Sequence, residues 1–136
     1  MSDGAAPQVP QFQFPTEWAD HNCPPDDATD AAGAIFRVIK DTIPTDDDFL
    51  THHEKGVRRG PECLRRGLSV FQDLKAAQHC VDLFGQFGKH IATADLEPQH
   101  GKLKHTGNDR QPDHHTWWPY VGVQRTGMFV CVTQNA

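Results

Sequence analysis

The apolar residues of this chain come in short runs, each closed off by glycine, proline or charge, so it can build only brief strands and one modest helix. Ala34-Ile35-Phe36-Arg37-Val38-Ile39 is β-prone and carries a single charge. Gly67-Leu68-Ser69-Val70-Phe71 and Lys89 to Leu96 read as two further strands. Pro44 to Leu50 looks like a helix start, with Thr45 as cap and acidic residues in the first turn. The clearest helix runs from Asp73 to about Phe84, where Leu74, Ala77, Val81 and Phe84 recur at helical spacing and Gly85 or Gly88 supplies the stop. The C-terminus reads as a hairpin: Trp118 to Gln124, a turn at Arg125-Thr126-Gly127, then Met128 to Thr133. No internal repeat is present. Short strands with two helices placed early predict a small α+β domain, with mixed or antiparallel strands and two or three helices, rather than a doubly wound sheet.

At 136 residues the chain has the size of one domain with one core. Residues 1–31 hold five prolines followed by Asp26, Asp27 and Asp30, and read as an extended arm. Residues 32–136 form the domain. Phe12, Phe14 and Trp18 are too many aromatics for a plain linker, so the arm either straps across the domain or contacts a partner. No apolar run approaches the roughly 20 residues that span a bilayer, which predicts no membrane insertion. The opening Met-Ser-Asp-Gly-Ala-Ala-Pro lacks a basic start and an apolar stretch, so the expected location is cytoplasmic. Cys23, Cys63, Cys80 and Cys131 are scattered without a Cys-x-x-Cys pair. In a cytosolic protein that argues against a disulfide framework and a thiolate zinc site, and makes Cys80 and Cys131 small core residues. A net charge of −5 argues against broad nucleic-acid binding.

Nine histidines invite a search for a site, and the densest feature is Asp113-His114-His115-Thr116-Trp117-Trp118-Pro119. On a strand, adjacent histidines point to opposite faces, so one metal takes only one of them. His105 or His100 can supply a second ligand, but neither stands at a metal-site spacing, and no His-Glu-x-x-His occurs. A histidine-ligated metal at His105, His114 and His115 is therefore one alternative. Another is a core tryptophan and a surface tryptophan beside solvated histidines. A third is an aromatic wall with an imidazole at its edge, suited to a planar ring, where neutral histidine can act as general base. Arg37 interrupts an apolar strand, and a buried arginine needs an anionic partner, either an internal carboxylate or a phosphate on a ligand. Ser69 precedes a helix on a short strand, where its hydroxyl contacts a ligand or closes an internal bond. It is not in Gly-x-Ser-x-Gly, so a hydrolase nucleophile is not indicated. Arg58-Arg59 and Arg65-Arg66 bracket a loop that is either solvated or phosphate-gripping.

The order of these pieces resembles the ADP-ribosyltransferase fold. In that family an arginine or histidine on the first core strand helps bind NAD, and a later strand with a small polar residue runs into an alanine-rich helix. Arg37 fits the first position, and Gly67 to Phe71 followed by Asp73-Leu74-Lys75-Ala76-Ala77 fits the second, a likeness spanning about residues 34–96. The resemblance implies a small-molecule nucleotide ligand, NAD. Arg37, Gly67, Ser69, Phe71, Trp117 and Trp118 would be the cofactor-binding residues, and His114 and His115 the catalytic ones. It implies transfer of ADP-ribose to an acceptor, which can be a protein, or cleavage of NAD. The chain departs from the family in lacking the usual late glutamate: Glu97, before Pro98, is its last. That leaves either histidine chemistry or a degenerate nucleotide-binding relative. A non-enzymatic interaction protein of inhibitor or immunity type is a further alternative, supported by the acidic balance and the aromatic arm.

Overall fold

The computed structural model describes residues 12–132. In chain order the regular elements are β1 (Thr29–Asp30), β2 (Gly33–Ile39), α1 (Glu62–Arg65), β3 (Leu68–Phe71), α2 (Leu74–Leu83), β4 (His90–Leu96), β5 (Gly101–His105), β6 (His114–Pro119), α3 (Arg125–Met128) and β7 (Val130–Cys131). One antiparallel sheet carries all seven strands in the order β1-β5-β6-β3-β2-β4-β7. Helices and sheet together make an α+β fold, as the run lengths predict. Only α2 exceeds a single turn among the described α-helices. The expected helix after Pro44 is a 3-10 turn, Asp46–Phe49, closed by a capping box between Thr45 and Asp48.

Pairing strength is uneven across the sheet. β2 and β4 match residue for residue from Gly33↔Leu96 to Ile39↔His90, whereas β2 and β3 share only Phe36↔Phe71. Beyond that bridge the two halves of the sheet diverge, and the Arg37 side chain reaches across the gap. Alternation puts Ile35, Ile39, Leu68, Val70, Ala92 and Trp117 on one face, covered by Phe49 and Phe129, whose rings stack at 4.6 Å. The opposite face buries Phe71 and Ile91 under Ala77 and Cys80 of α2. The helix turns these residues inward while Leu74, expected in the apolar stripe, is exposed. Asp73 caps α2 by accepting from Lys75 N at 3.1 Å, as anticipated.

Two expectations fail at the C-terminus. Pro119 ends β6, and Arg125–Met128 is helical, so the segment after it does not fold back on β6. β7 pairs instead with β4 at the far edge. No hairpin forms, and Thr133 lies outside the described residues. The strand β5 was not anticipated, because His100-Gly101-Lys102-Leu103-Lys104-His105 shows little hydrophobicity. It is held by five pairings to β6, and Gly101, at φ 130°, gives the close approach to the Trp118 carbonyl that a Cβ would obstruct.

The arm is part of the domain. Trp18 packs with Ala28 and Trp118, Phe14 stacks on Trp18 at 5.2 Å, and β1 extends the sheet beside β5. Lys102–Asp30 and Lys104–Asp27 pairs line that edge. Of the two possible roles for its aromatics, Phe14 and Trp18 serve as a strap. Residues 1–11 of the predicted arm lie outside the described residues. The cysteine reading is overturned: Cys23 and Cys63 form a disulfide, Cα atoms 5.3 Å apart, tying the arm to α1. Spacing along the chain could not reveal this, because the partners meet only when the arm crosses β6. Cys80 is buried in the core as expected, and Cys131 is half-buried on β7. No helix among the described residues is long and apolar enough to cross a membrane.

Candidate functional site

Where β2 and β3 part, a cleft of about 220 Å³ opens. Arg37, Gly67, Ser69, Phe71 and His114 line it. The 46–49 turn and the segment after it form the rim, contributing Asp48, His52 and Lys55. That segment is fixed from outside by Arg125, which donates to Phe49 O at 2.8 Å and grips Glu54 through both terminal nitrogens at 2.7 and 3.0 Å.

Arg37 is half-buried on a central strand, so it is not a solvated edge residue. Its Nε donates to Asp48 O at 2.9 Å and one Nη to Ser69 O at 2.8 Å. These are backbone carbonyls that the diverging strands and the 3-10 turn leave without ladder partners. The guanidinium also lies 5.9 Å from the Phe49 ring centre. The internal carboxylate foreseen as one option is not in ion-pair contact: Asp48 Oδ2 accepts from Thr45 N and Oγ1, and its Oδ1 from Lys40 N. Burial pulls the Arg37 pKa down to about 10, with the Asp48 charge opposing that shift, so the side chain is still cationic at neutral pH.

The β3–β6 register decides the rest. Ser69 lies opposite Thr116 and Phe71 opposite His114, so these four side chains share a face. The His114 ring packs edge-on to Phe71 at 5.7 Å, and its Nε2 reaches Ser69 Oγ at 2.9 Å. On its other side Nδ1 meets Thr106 Oγ1 at 2.8 Å, and Thr106 Oγ1 in turn meets Thr116 Oγ1 at 2.8 Å. Burial, and then the neighbouring His115, lower the His114 pKa below the ordinary histidine value, offset in part by a bond to the Thr106 backbone. The imidazole is therefore neutral at pH 7 and can accept a proton.

The remaining candidates are elsewhere. His115 is buried on the opposite face, donates from Nδ1 to Asp113 O at 2.6 Å, and packs edge-on to His105 at 5.1 Å. His105 donates from Nε2 to Pro112 O at 2.5 Å. His115 is thus not beside the cleft as a catalytic partner of His114. The set His105, His114 and His115 does not converge either, since adjacent strand residues diverge, and no three metal-binding side chains meet among the described residues. Trp117 and Trp118 are fully buried, donating to His100 O at 3.0 Å and Cys63 O at 2.9 Å, and neither offers a ring face to a ligand. Both tryptophans are core residues. Gly67 owes its lack of a side chain to packing, because a Cβ there would overlap Thr116 and come within 3.1 Å of Trp118 Nε1. The second arginine pair is structural: Arg65 and Arg66 both engage Glu62. Arg58 and Arg59 are exposed and form no ion pair among the described residues.

Sequence reasoning missed Thr106 and Thr116, and nothing near Thr106 in the chain marks it. It also missed Lys40, His52 and Lys55 at the cleft, which follow from the unforeseen path of the segment after β2. No family model, curated protein or solved structure matches the chain.

Proposed function

We propose that the cleft binds the phosphate-bearing part of NAD or a related nucleotide, and that the chain is an ADP-ribosyltransferase-like protein or a degenerate relative that binds without turnover. The observation that carries this reading is Arg37. It is a cation on a central strand with no carboxylate in ion-pair contact among the described residues, and it lines the same cleft as Ser69 and His114. A partly buried charge whose hydrogen bonds go to carbonyls favours an incoming anion. Phe71 and Phe84 supply apolar wall for a ring, and Lys55 adds a positive charge to the rim, where Lys40 is paired with Asp47. A cleft of this size takes one end of a dinucleotide, with the remainder lying across that rim. His114 stands on a late strand, the region where the resembled family carries a glutamate, and as a neutral imidazole it can orient or deprotonate an acceptor hydroxyl. Ser69, on the same lining, would bond the adjoining ribose. A cytoplasmic location is harder to combine with Cys23–Cys63, because cytosolic thiols are kept reduced.

Titration calorimetry with NAD, run beside an assay for nicotinamide release, tests the proposal. Arg37→Met should weaken binding about tenfold to a hundredfold, the worth of a charged hydrogen bond. Absence of binding at millimolar NAD would reject the reading, and binding without nicotinamide release would select the degenerate form.

A further inference from the structure

We infer that Ser69 is a nucleophile activated by His114, and that the cleft supports hydrolysis of an ester bond in a small molecule bearing a negative charge. The inference goes beyond nucleotide binding and does not rest on it.

Three contacts in series make the case: Ser69 Oγ to His114 Nε2 at 2.9 Å, His114 Nδ1 to Thr106 Oγ1 at 2.8 Å, and Thr106 Oγ1 to Thr116 Oγ1 at 2.8 Å. A hydroxyl, a base within hydrogen-bond reach and a third group orienting the base are the arrangement that activates serine. In the tautomer with the proton on Nδ1, that N–H donates to Thr106 Oγ1, the Thr106 hydroxyl donates to Thr116 Oγ1, and the Nε2 lone pair faces the Ser69 hydroxyl. A bond needed only to satisfy a buried serine would lie inside the core. Ser69 is instead the exposed residue of β3, flanked by buried Leu68 and Val70, and it opens on the cleft. Arg37 and Lys55 on that cleft fit a phosphate or carboxylate on the substrate, while Lys40 on the same lining is paired with Asp47 at 3.1 Å.

The chemistry closes without a further reagent. Ser69 Oγ attacks the ester carbonyl while its proton passes to Nε2. The tetrahedral adduct then expels the alcohol, which leaves with that proton. Water, deprotonated by Nε2, attacks the acyl-serine, and the proton returns to Oγ as the acid departs. Thr106 is a positioning residue. Its hydroxyl holds the ring in place as donor or acceptor, and being neutral it does not stabilise the imidazolium as a carboxylate would.

The test treats the full chain with a fluorophosphonate probe and maps the adduct by peptide mass spectrometry, with no nucleotide present. Oγ bonds to phosphorus, fluoride leaves, and Nε2 takes the proton. Ser69 should be the residue labelled. His114→Gln should slow labelling by about 100-fold or more, the usual contribution of a general base. Thr106→Val, nearly isosteric, should slow it about tenfold by freeing the ring. Melting curves establish that each variant folds, and should His114→Gln not fold, Thr106→Val decides. Labelling of Ser69 no faster than of other serines, or at equal rates in Thr106→Val, would overturn the inference. Turnover of p-nitrophenyl butyrate as fast as of p-nitrophenyl hydrogen succinate would overturn the anionic-substrate part. Labelling without NAD binding sinks the nucleotide reading alone, and NAD binding without labelling sinks this one alone.

Discussion

Removing the Cys23–Cys63 link should cost the protein a large share of its stability. The bridge joins residues 40 apart in sequence. Closing a loop of that length in the unfolded chain removes entropy worth about 4 kcal/mol at 25 °C. For a chain of 136 residues, this corresponds to a fall of about 14 °C in melting temperature. The double variant Cys23→Ala/Cys63→Ala is the right perturbation, because Cys23 is buried and a reductant would reach it slowly. Calorimetry on the variant and the parent gives the difference. A thiol count in denaturant without reductant should find two free thiols, Cys80 and Cys131, and four after reduction. Four thiols before reduction, or melting points within about 3 °C of each other, would refute the reasoning that the bridge forms and constrains the unfolded state.

Gly67→Ala should destabilise by about 1–3 kcal/mol, since its Cβ overlaps Thr116, and urea unfolding would measure it. The same displacement would disturb the hydroxyl chain to His114. Trp117→Phe should cost about 1–3 kcal/mol through lost volume and an unpaired His100 carbonyl. Ligand affinity measured on the same sample should change little, because Trp117 itself does not line the cleft. His114 and His52 both have folded-state pKa values below the unfolded one, His52 chiefly through burial and then the charges of Lys55 and Arg37. The unfolded state therefore binds more protons below about pH 6.5, and stability should fall as pH drops through the lower folded values. His114→Gln should flatten part of that slope in denaturant melts run from pH 7.5 downward, and an unchanged slope would contradict the assignment.

Part of this protein was legible from local pattern. Alternation and β-branching located β2, β3 and β4, and helical spacing with the Asp73 cap located α2. These signals are short-range, because the backbone and the nearest side chains decide them. Arg37 stood out because a charge inside an apolar strand needs a physical reason, and the expectation that His114 and His115 point apart followed from strand geometry alone. β5, α3 and the pairing of β7 with β4 were not legible, because weakly apolar segments take the structure their neighbours impose. The disulfide fell in the same class, since Cys23 and Cys63 become neighbours only when the arm crosses the sheet. By itself the sequence determined an α+β domain of short strands and the residue types available for chemistry. Only the tertiary structure decided which of them act together. Ser69 and His114 are 45 residues apart, and the register of β3 on β6 brings them within hydrogen-bonding distance while sending His115 and Trp117 to the other face. A slip of one residue would exchange those faces, and register is set by the packing of the whole sheet rather than by any local stretch of chain.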